Sequence, residues 1–443
     1  MPLDAGTRTP PAFRYDGRIS LAEVPHVMPD PTPQLSFRDV LRIRSVRRLW
    51  LAQLVSIFGD FLAIFAVFSI VTFQFHGTPT QVSMILVAYL LPLAFVSPLA
   101  GVFVDKWNVK WTMIASDLIR GVLVLALLAV RDINSIYAVF FVLSAVSSFF
   151  IPAQSVAVRT LAPAAGLMAV NALMSQAVQG SQIVSPAIAG LLVQWFGANL
   201  CFLLDSASFF FSAAMVLTLS IERKSVAPAG AASSILSSMR QGMAFIFTHA
   251  AISFVIFAMT AGMFAVRCFG ALLSVYVRDI LLAGAALFGT LNSLIGVGMI
   301  AGTQSLHRFA KHISKQRLVI CGLGGMGVAI LVTALFGRVS TTALGMLMMG
   351  FFAAFIMIPS QTLLQQETPQ ELLGRVSSSL MSLLAVSQVL AMFVAGPVAQ
   401  SAGIRNLYFG SAALLMGIGI LGWGKLRTPK ETVTPGMGTA AGA

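Results

Sequence analysis

Long hydrophobic runs separated by short polar segments dominate the sequence. Most runs are about 20 residues or longer, which is the length an α-helix needs to cross the hydrocarbon core of a membrane. This alternation predicts about twelve membrane-spanning helices. The predicted spans are 49–75, 80–104, 112–130, 134–157, 167–195 and 199–220 in the first half of the chain, and 250–276, 284–305, 317–336, 341–364, 377–400 and 404–425 in the second.

The composition excludes a soluble globular protein. Of the 443 residues, 57% are hydrophobic and only 10% are charged, and the mean hydropathy is +0.89. In soluble domains, roughly a quarter of the residues are charged. The sequence therefore predicts an all-α membrane protein that crosses the lipid bilayer many times.

The distribution of lysine and arginine predicts the orientation of the chain. The net charge is +13, and the basic residues lie mainly before the first span, after the last span and in every second connector. The other connectors hold only Arg131, Arg278, Arg338 and Arg405. Because basic connectors stay on the cytoplasmic side, we expect both termini in the cytoplasm and the spans in the cell (inner) membrane. This placement of charge gives no reason to expect nucleic-acid binding.

An internal repeat without gaps divides the spans into two halves. Residues 151–175 align with 358–382 at an offset of 207 residues. Two parallel six-span halves with a substrate site between them are typical of one large class of transporters. The predicted organisation is a disordered cytoplasmic tail 1–35, an N-terminal six-helix half 36–220, a cytoplasmic linker 221–249 with an amphipathic helix, a C-terminal six-helix half 250–427 and a disordered tail 428–443.

No pattern in the sequence indicates an enzyme, a cofactor or a metal site. Gly322, Gly324 and Gly327 fit a dinucleotide-binding fingerprint, but no acidic residue that could hold a ribose lies between Asp279 and Glu367. Small residues at this spacing also let membrane helices pack closely, which is the interpretation we prefer. The three cysteines and five histidines form no motif for a metal or for catalysis.

The connector between the second and third spans carries a distinctive charge pattern. Gly101, Asp105, Lys106 and Lys110 fit G-x-x-x-D-K-x-x-x-K. The pattern resembles the signature of the major facilitator superfamily at the same connector. It departs at Asn108, where glycine is usual, and at the next residue, where a basic one is usual. Asparagine tolerates left-handed backbone, so we expect the turn to persist.

This resemblance implies a fold and a conformational latch. The fold has twelve transmembrane helices in two pseudo-symmetric six-helix halves. In the family, the acid of the signature faces the start of span eleven when the cytoplasmic side is closed. Here Asp105 would face the region 374–379, which includes Arg375, and the contact would favour the outward-open state. The alternative is a basic connector that only sets the orientation of the chain.

The fifth predicted span resembles the antiporter version of this family. Gly180, Ser185, Pro186 and Gly190 belong to the segment QGSQIVSPAIAG, which is similar to the family pattern G-x-x-x-G-P-x-x-G-G. That pattern is linked to proton-coupled export rather than uptake. Close packing of small residues between helices is the alternative explanation.

The overall layout resembles one branch of the superfamily. The segments LWLAQLVSIFGDFL, FFIPAQ and LLQQETPQELLGRVSS are similar to the branch that holds macrolide-efflux proteins and the enterobactin exporter. The resemblance implies export of drugs or siderophores, usually driven by protons. The branch is also similar to lysophospholipid transporters, so a lipid translocator of the same fold remains an alternative.

Ionisable residues inside predicted spans are candidates for function, because charge is costly in a membrane. Asp60 and Arg267 lie 207 residues apart and so occupy equivalent places in the two halves. We predict that Asp60 is the proton site and that Arg267 lies nearby as a countercharge or an anion-binding group; a static structural pair is the alternative. Asp117 and Arg120 share one helix face, which favours a structural role beside the latch. Asp205 is interpreted as a packing or capping acid.

These observations predict a secondary transporter that exports an amphipathic small molecule by proton antiport with alternating access. Its expected partners are the small-molecule substrate, protons and the lipid bilayer, and a monomer without cofactor or metal is expected. A receptor or a channel is a remote alternative. The polar residues expected in the cavity are Gln53, Gln154, Gln179, Asn292 and Gln361.

Overall fold

A computed structural model describes residues 35–104, 106–221, 243–309 and 313–427, and these form long α-helices joined by short turns. The predicted tails and most of the predicted linker lie outside the described residues, as does Asp105. A helical turn at 243–248 precedes the second half. The helices are α1 (Phe37–Arg42), α2 (Arg44–Ser69, continued by a π-helix over Ile70–Gln74), α3 (Pro79–Val104), α4 (Val109–Ala126), α5 (Ile133–Leu161), α6 (Leu167–Phe196), α7 (Ala198–Leu217), α8 (Ala250–Asp279), α9 (Ala285–Phe309), α10 (Lys315–Phe336), α11 (Val339–Glu367), α12 (Gln370–Ala402) and α13 (Ile404–Arg427).

Ten helices in the described part of the chain are long and apolar enough to cross a membrane. Two long helices, α4 and α6, are not among the ten. Helix α4 carries three charged residues, Lys110, Asp117 and Arg120, in only 18 residues, whereas α6 is rich in glutamine and serine, which lowers its mean hydropathy. The multi-span all-α fold is therefore confirmed, whereas twelve crossings remain a prediction.

Polar contacts define two opposite ends of the bundle. At the near end, α2 begins and α7 ends: Arg48 Nη1 donates to the Thr218 carbonyl oxygen over 3.4 Å. At the far end, α2 ends and α8 ends: Arg278 Nη1 donates to the Gly77 carbonyl oxygen over 3.0 Å. Successive long helices run alternately between these ends. Under the predicted orientation, the near end is the cytoplasmic one.

Side-chain caps start two of the N-terminal helices. Asn108 caps α4 by accepting from the Trp111 amide over 3.2 Å. Its φ of −74° and ψ of 113° are extended, so the expected left-handed turn is wrong, and asparagine is useful here as a helix cap instead. Asp132 caps α5 in the same way, and hydrogen bonds from Ser135 lower the pKa of its carboxyl group.

The helices pack into two halves that meet across a shared face. Helices α2–α7 pack on one another, with α2 against α6 and α7, and helices α8–α13 pack likewise. The halves touch where α6 meets α9 and where α3 meets α12. The Phe65 and Phe288 rings stack across this face with centroids 4.9 Å apart.

The run that fits the dinucleotide fingerprint lies inside helix α10. A Cβ at Gly322 would meet Ile356 of α11, and a Cβ at Gly327 would meet Met416 of α13. These glycines therefore allow close packing between helices, as the preferred interpretation of the sequence predicts.

Candidate functional site

The centre of the N-terminal half is built around the closest approach of α2 and α7. A carbon at the Cβ position of Gly59 would lie 2.6 Å from Asp205 Oδ1, so only glycine lets the two helices come this close. Asp60 is the next residue and is half-buried. Asp205 is 1% exposed, and Ser208 Oγ lies 3.4 Å from its Oδ1.

A buried ion pair on α4 lies beside these acids. Arg120 Nη2 donates to Asp117 Oδ1, and Asp117 and Arg120 are 0% and 4% exposed. The guanidinium carbon also lies 4.4 Å and 4.3 Å from the ring centroids of Phe150 and Phe209. Aromatic faces attract a cation, so both rings stabilise the charge of Arg120.

Asp60, Asp117, Arg120 and Asp205 form what we call the charge cluster. The charges of Arg120 and Asp117 act on Asp60, and those of Asp60 and Arg120 act on Asp205. Ser206 of α7 donates to the Gly121 carbonyl oxygen over 2.9 Å, which ties α7 to α4. The cluster thus holds three carboxylates and one guanidinium, and that guanidinium is already paired with Asp117.

These four residues could be identified as candidates from the sequence, but their proximity in space could not. Sequence analysis placed the Asp117–Arg120 pair beside the latch, whereas the structure brings the pair within electrostatic range of Asp60. It read Asp205 as a packing or capping acid, and the structure puts its carboxylate against Gly59, next to Asp60. Gly59, the small residue before Asp60, is the sequence signal that could have indicated the close approach of α2 and α7.

The structure does not bring Arg267 to Asp60 as a countercharge. No ion pair joins them in the described part of the chain. The face of α2 that meets the C-terminal half carries Phe65 and Thr72. At 100° per residue, Asp60 lies about 140° around α2 from Phe65, away from that face. Equivalent positions in a repeat therefore do not imply contact.

The residues of the predicted latch are only partly described. Gly101 and Gly374 have open space around the Cβ position. Lys106 and Arg375 are exposed, and Lys110 lies half-buried in the first turn of α4. Because Asp105 lies outside the described residues, the latch remains a prediction.

The antiporter-like segment of α6 forms a contact between the halves. A Cβ at Gly190 would lie 2.7 Å from the Ala285 carbonyl oxygen of α9, and one at Gly289 would overlap the Pro186 carbonyl oxygen. The Ala187 amide donates to Ser293 Oγ over 3.1 Å. Two further motif residues have other surroundings: Ser185 donates to the Phe58 carbonyl oxygen of α2 over 3.4 Å, and Gly180 has open space at its Cβ position.

A second contact, which we call the far-end clamp, was missed by sequence analysis. Arg278 at the end of α8 donates to the carbonyl oxygens of Thr72 (2.8 Å) and Gly77 (3.0 Å) in the N-terminal half. Its Nε and Nη2 donate to the Asp279 carboxylate over 2.6 Å and 3.0 Å. Ser274 Oγ lies 2.8 Å from Thr72 Oγ1. The adjacent Arg-Asp pair at the end of a span was the available signal. These contacts join the two halves at the far end.

The predicted cavity residues do not form one hydrogen-bonded group among the described residues. Gln53 is buried and its Nε2 has no partner, and Gln154 Nε2 contacts only Met174 Sδ at 3.9 Å. Asn292 is half-buried, and Gln179 and Gln361 are exposed. In the described residues, no group of three His, Cys, Asp or Glu side chains could hold a metal ion.

Comparison with protein families decides the assignment. The sequence profile described as Major Facilitator Superfamily matches residues 49–380 and 255–440. This chain belongs to the major facilitator superfamily. The buried charge cluster, the paired halves and the far-end clamp are therefore parts of a membrane transporter.

Several relatives within the superfamily carry names that indicate export. Macrolide efflux protein A of Streptococcus pyogenes is 23% identical over 381 residues, which are 84% of this chain and 94% of that protein. The multidrug efflux pump Tap of Mycolicibacterium fortuitum is 24% identical, with coverage of 79% and 88%. YfiS of Bacillus subtilis (strain 168), an uncharacterized MFS-type transporter, is 24% identical, with coverage of 85% and 92%.

Solved transporters share the fold. The nucleoside transporter NupG superposes with a TM-score of 0.69 at 12% identity, covering 87% of this chain and 100% of that one. A bacterial homologue of the iron transporter ferroportin, in an inward-facing state, gives a TM-score of 0.66 at 16% identity, with coverage of 88% and 100%. At these identities the likeness establishes the fold alone.

Proposed function

We propose that this protein exports an amphipathic small molecule from the cytoplasm in exchange for protons, by alternating access. The direction of transport is supported by the relatives named as efflux proteins and by the antiporter-like segment of α6. The predicted orientation, with the basic near end in the cytoplasm, is consistent with that direction.

The charge cluster is the observation that carries the proton-coupling proposal. Arg120 is paired with Asp117, so Asp60 and Asp205 have no ion-pair partner among the described residues. A buried carboxylate without a cation is more stable in its neutral form, and binding a proton neutralises it. We therefore assign proton binding to Asp60, with Asp205 and Arg120 controlling how readily it exchanges its proton.

The exchange follows from a change in the surroundings of Asp60 during the cycle. When the far end is open to the outside, Asp60 takes up a proton. When the near end is open to the cytoplasm, Asp60 releases that proton as substrate enters. Movement of the halves changes the water access and the charge balance of the cluster. A carboxylate whose environment differs between two states in this way can couple proton flow to transport.

Alternating access requires the far-end contacts to separate. In the described state, the far-end clamp and the α6–α9 contact join the halves at this end. Opening toward the outside would break them, and the predicted contact of Asp105 with the start of α12 would then close the near end. A rocking motion of two such halves about a central site is the expected mechanism for this fold.

The test measures export in inside-out vesicles from cells that lack their own efflux pumps. An imposed pH gradient, acidic inside, should drive accumulation of at least one of three probes by the wild type: ethidium, radiolabelled erythromycin or radiolabelled 1-oleoyl-lysophosphatidate. An ionophore that collapses the gradient should abolish this accumulation. Asp60→Asn should remove at least nine-tenths of the gradient-driven rate, roughly a tenfold loss or 1.4 kcal/mol.

The matched control is Asp132→Asn, which changes an exposed helix-capping aspartate outside the charge cluster. It should keep gradient-driven accumulation near the wild-type rate. Undiminished accumulation by Asp60→Asn would exclude Asp60 as the proton site. A wild type that moves none of the three probes under the gradient would contradict the export proposal.

A further inference from the structure

Arg267 is a half-buried cation without an ion-pair partner among the described residues. It lies in the middle of α8, its side chain is half-buried, and its Nε is buried with no hydrogen-bond partner. No ion pair joins it to an acidic residue in the described part of the chain. An unpaired guanidinium at membrane depth is costly, so such residues are retained for a function.

The C-terminal half offers no acid at the depth of Arg267. Its acidic residues are Asp279, Glu367 and Glu371, all at helix ends. Asp279 already receives hydrogen bonds from Arg278, and it lies about 18 Å along α8 from Arg267, at 1.5 Å per residue. Glu367 ends α11 at the near end and is exposed.

The position of Arg267 on α8 directs it toward the N-terminal half. Seven residues make almost two full helical turns, so Arg267 shares a face with Ser274, whose Oγ contacts Thr72 of α2. The neighbouring face of α8 is occupied within its own half: Cys268 Sγ lies 3.7 Å from the Ala391 carbonyl oxygen of α12, and Phe269 stacks on Tyr408 of α13. The guanidinium therefore lies on the side where the two halves meet.

Arginine has a specific preference among possible ligands. Its planar fork of donors matches a carboxylate or a phosphate group through two parallel hydrogen bonds. A substrate that carries such a group would supply the ion-pair partner that the described residues do not provide. Transporters of this architecture bind substrate between the halves, near the depth of the bilayer centre.

We propose that Arg267 binds an anionic group, a carboxylate or a phosphate, on the amphipathic substrate. This inference rests on the proposed export function and narrows its substrate class. Arg267 then binds the charged group of the substrate, while the charge cluster in the other half binds and releases the proton.

The experiment measures equilibrium binding to the purified protein in nanodiscs without a proton gradient. The probes share one oleoyl chain and differ in the head group: oleate, 1-oleoyl-lysophosphatidate and neutral monoolein. The wild type should bind at least one anionic probe at least tenfold more tightly than monoolein. The stronger of the two anions identifies carboxylate or phosphate as the preferred group.

Substitution of Arg267 separates its role from that of other basic residues. Arg267→Gln should remove the preference for the anionic probe and leave monoolein binding unchanged, which also reports a folded protein. Arg267→Lys should keep part of the preference, because the charge remains while the paired geometry is lost. The matched control Arg159→Gln, an exposed arginine at the near end, should keep all of it.

Two results would overturn the inference. One is a wild type that binds anionic and neutral probes equally, and the other is an Arg267→Gln protein that keeps the anionic preference. If Arg267→Gln keeps that preference but loses gradient-driven export, Arg267 is a countercharge in another state and the anion proposal fails. Because binding is measured without a gradient, failure of proton coupling would not affect this result.

Discussion

The interiors of the two halves differ sharply in charge. Away from helix ends, the acidic and basic residues of the N-terminal half are the four of the charge cluster, whereas the C-terminal half has Arg267 as its one such residue in the described helices. In the first half the charges lie close together and one pair is neutralised; in the second the charge has no ion-pair partner within the described part of the chain. The repeat therefore preserves the helical framework and not the chemistry placed on it.

This contrast suggests that the two halves have different roles, one in proton exchange and the other in ligand recognition. A cluster with more carboxylates than guanidinium groups is suited to gaining and losing protons, because its charge can change without a bound ligand. A single fixed cation is suited to recognising a ligand of opposite charge. Three substitutions test whether the cluster behaves as a unit and whether the halves separate as proposed.

The largest expected effect is that of Arg120→Gln. Removing the cation leaves Asp117 as a buried carboxylate without a partner, and breaking a buried pair in this way costs about 3–5 kcal/mol. We expect a clear fall in the unfolding temperature of the purified protein, measured by tryptophan fluorescence. The double variant D117N/R120Q should recover part of the loss, because no charge is then left unpaired.

The exposed Arg159 provides the control for Arg120. Arg159→Gln should change the unfolding temperature little, since exposed charges contribute about 0–1 kcal/mol. Equal unfolding temperatures for Arg120→Gln and wild type would show that the pair on α4 does not support the cluster.

An intermediate effect is expected for Gly59→Ala. The added methyl group would collide with the Asp205 and Ser208 side chains, so α2 and α7 must move apart. Overpacking of this kind costs about 1–3 kcal/mol. The stability of the folded protein should fall. Gradient-driven export should fall as well, because the separation also moves Asp205 away from Asp60.

The matched control for this substitution is Gly324→Ala. Gly324 lies inside α10 with open space at its Cβ position, so alanine there should be neutral or stabilising, by up to about 1 kcal/mol. If both alanine variants behave alike, the close approach of α2 and α7 is not required.

The smallest effect is expected at the far-end clamp. Arg278→Gln removes two hydrogen bonds from a charged group to carbonyl oxygens of the other half. Hydrogen bonds to charged groups contribute about 1.5–3 kcal/mol each when fully formed, and Arg278 is partly exposed, so we expect about a tenfold shift toward far-end opening. Distances between spin labels at positions 78 and 281 should gain a longer population. Unchanged distances would mean that the remaining contacts between the halves, α6 with α9 and α3 with α12, keep this end closed.

Much of the architecture could be predicted from hydrophobic patterning. The run 250–276 corresponds to α8, Ala250–Asp279, and the run 404–425 corresponds to α13, Ile404–Arg427. The agreement is poorer at polar ends: the run 377–400 covers only part of α12, Gln370–Ala402, because a helix continues beyond its apolar portion. Hydropathy detects the lipid-facing segment and not the hydrogen-bonded ends.

The site could be predicted only in part, because it depends on contacts between distant segments. Charge within an apolar run was enough to identify Asp60 and Arg267 as candidates. Whether they meet depends on which face of each helix they occupy and on how closely α2 approaches α7, which Gly59 determines. The Arg-Asp pair could have drawn attention to the end of α8, but the partners of Arg278 in the other half are backbone carbonyl oxygens, which the sequence does not identify.

The most direct test of the central claim follows the protonation of Asp60 itself. Infrared difference spectra of the purified protein, recorded between acidic and alkaline pH with isotope-labelled aspartate, report the carbonyl band of protonated carboxyl groups. We predict that the wild type shows such a band at acidic pH, that it disappears as pH rises, and that Asp60→Asn reduces it while Asp132→Asn does not. A band of equal strength in the Asp60→Asn protein would contradict the account.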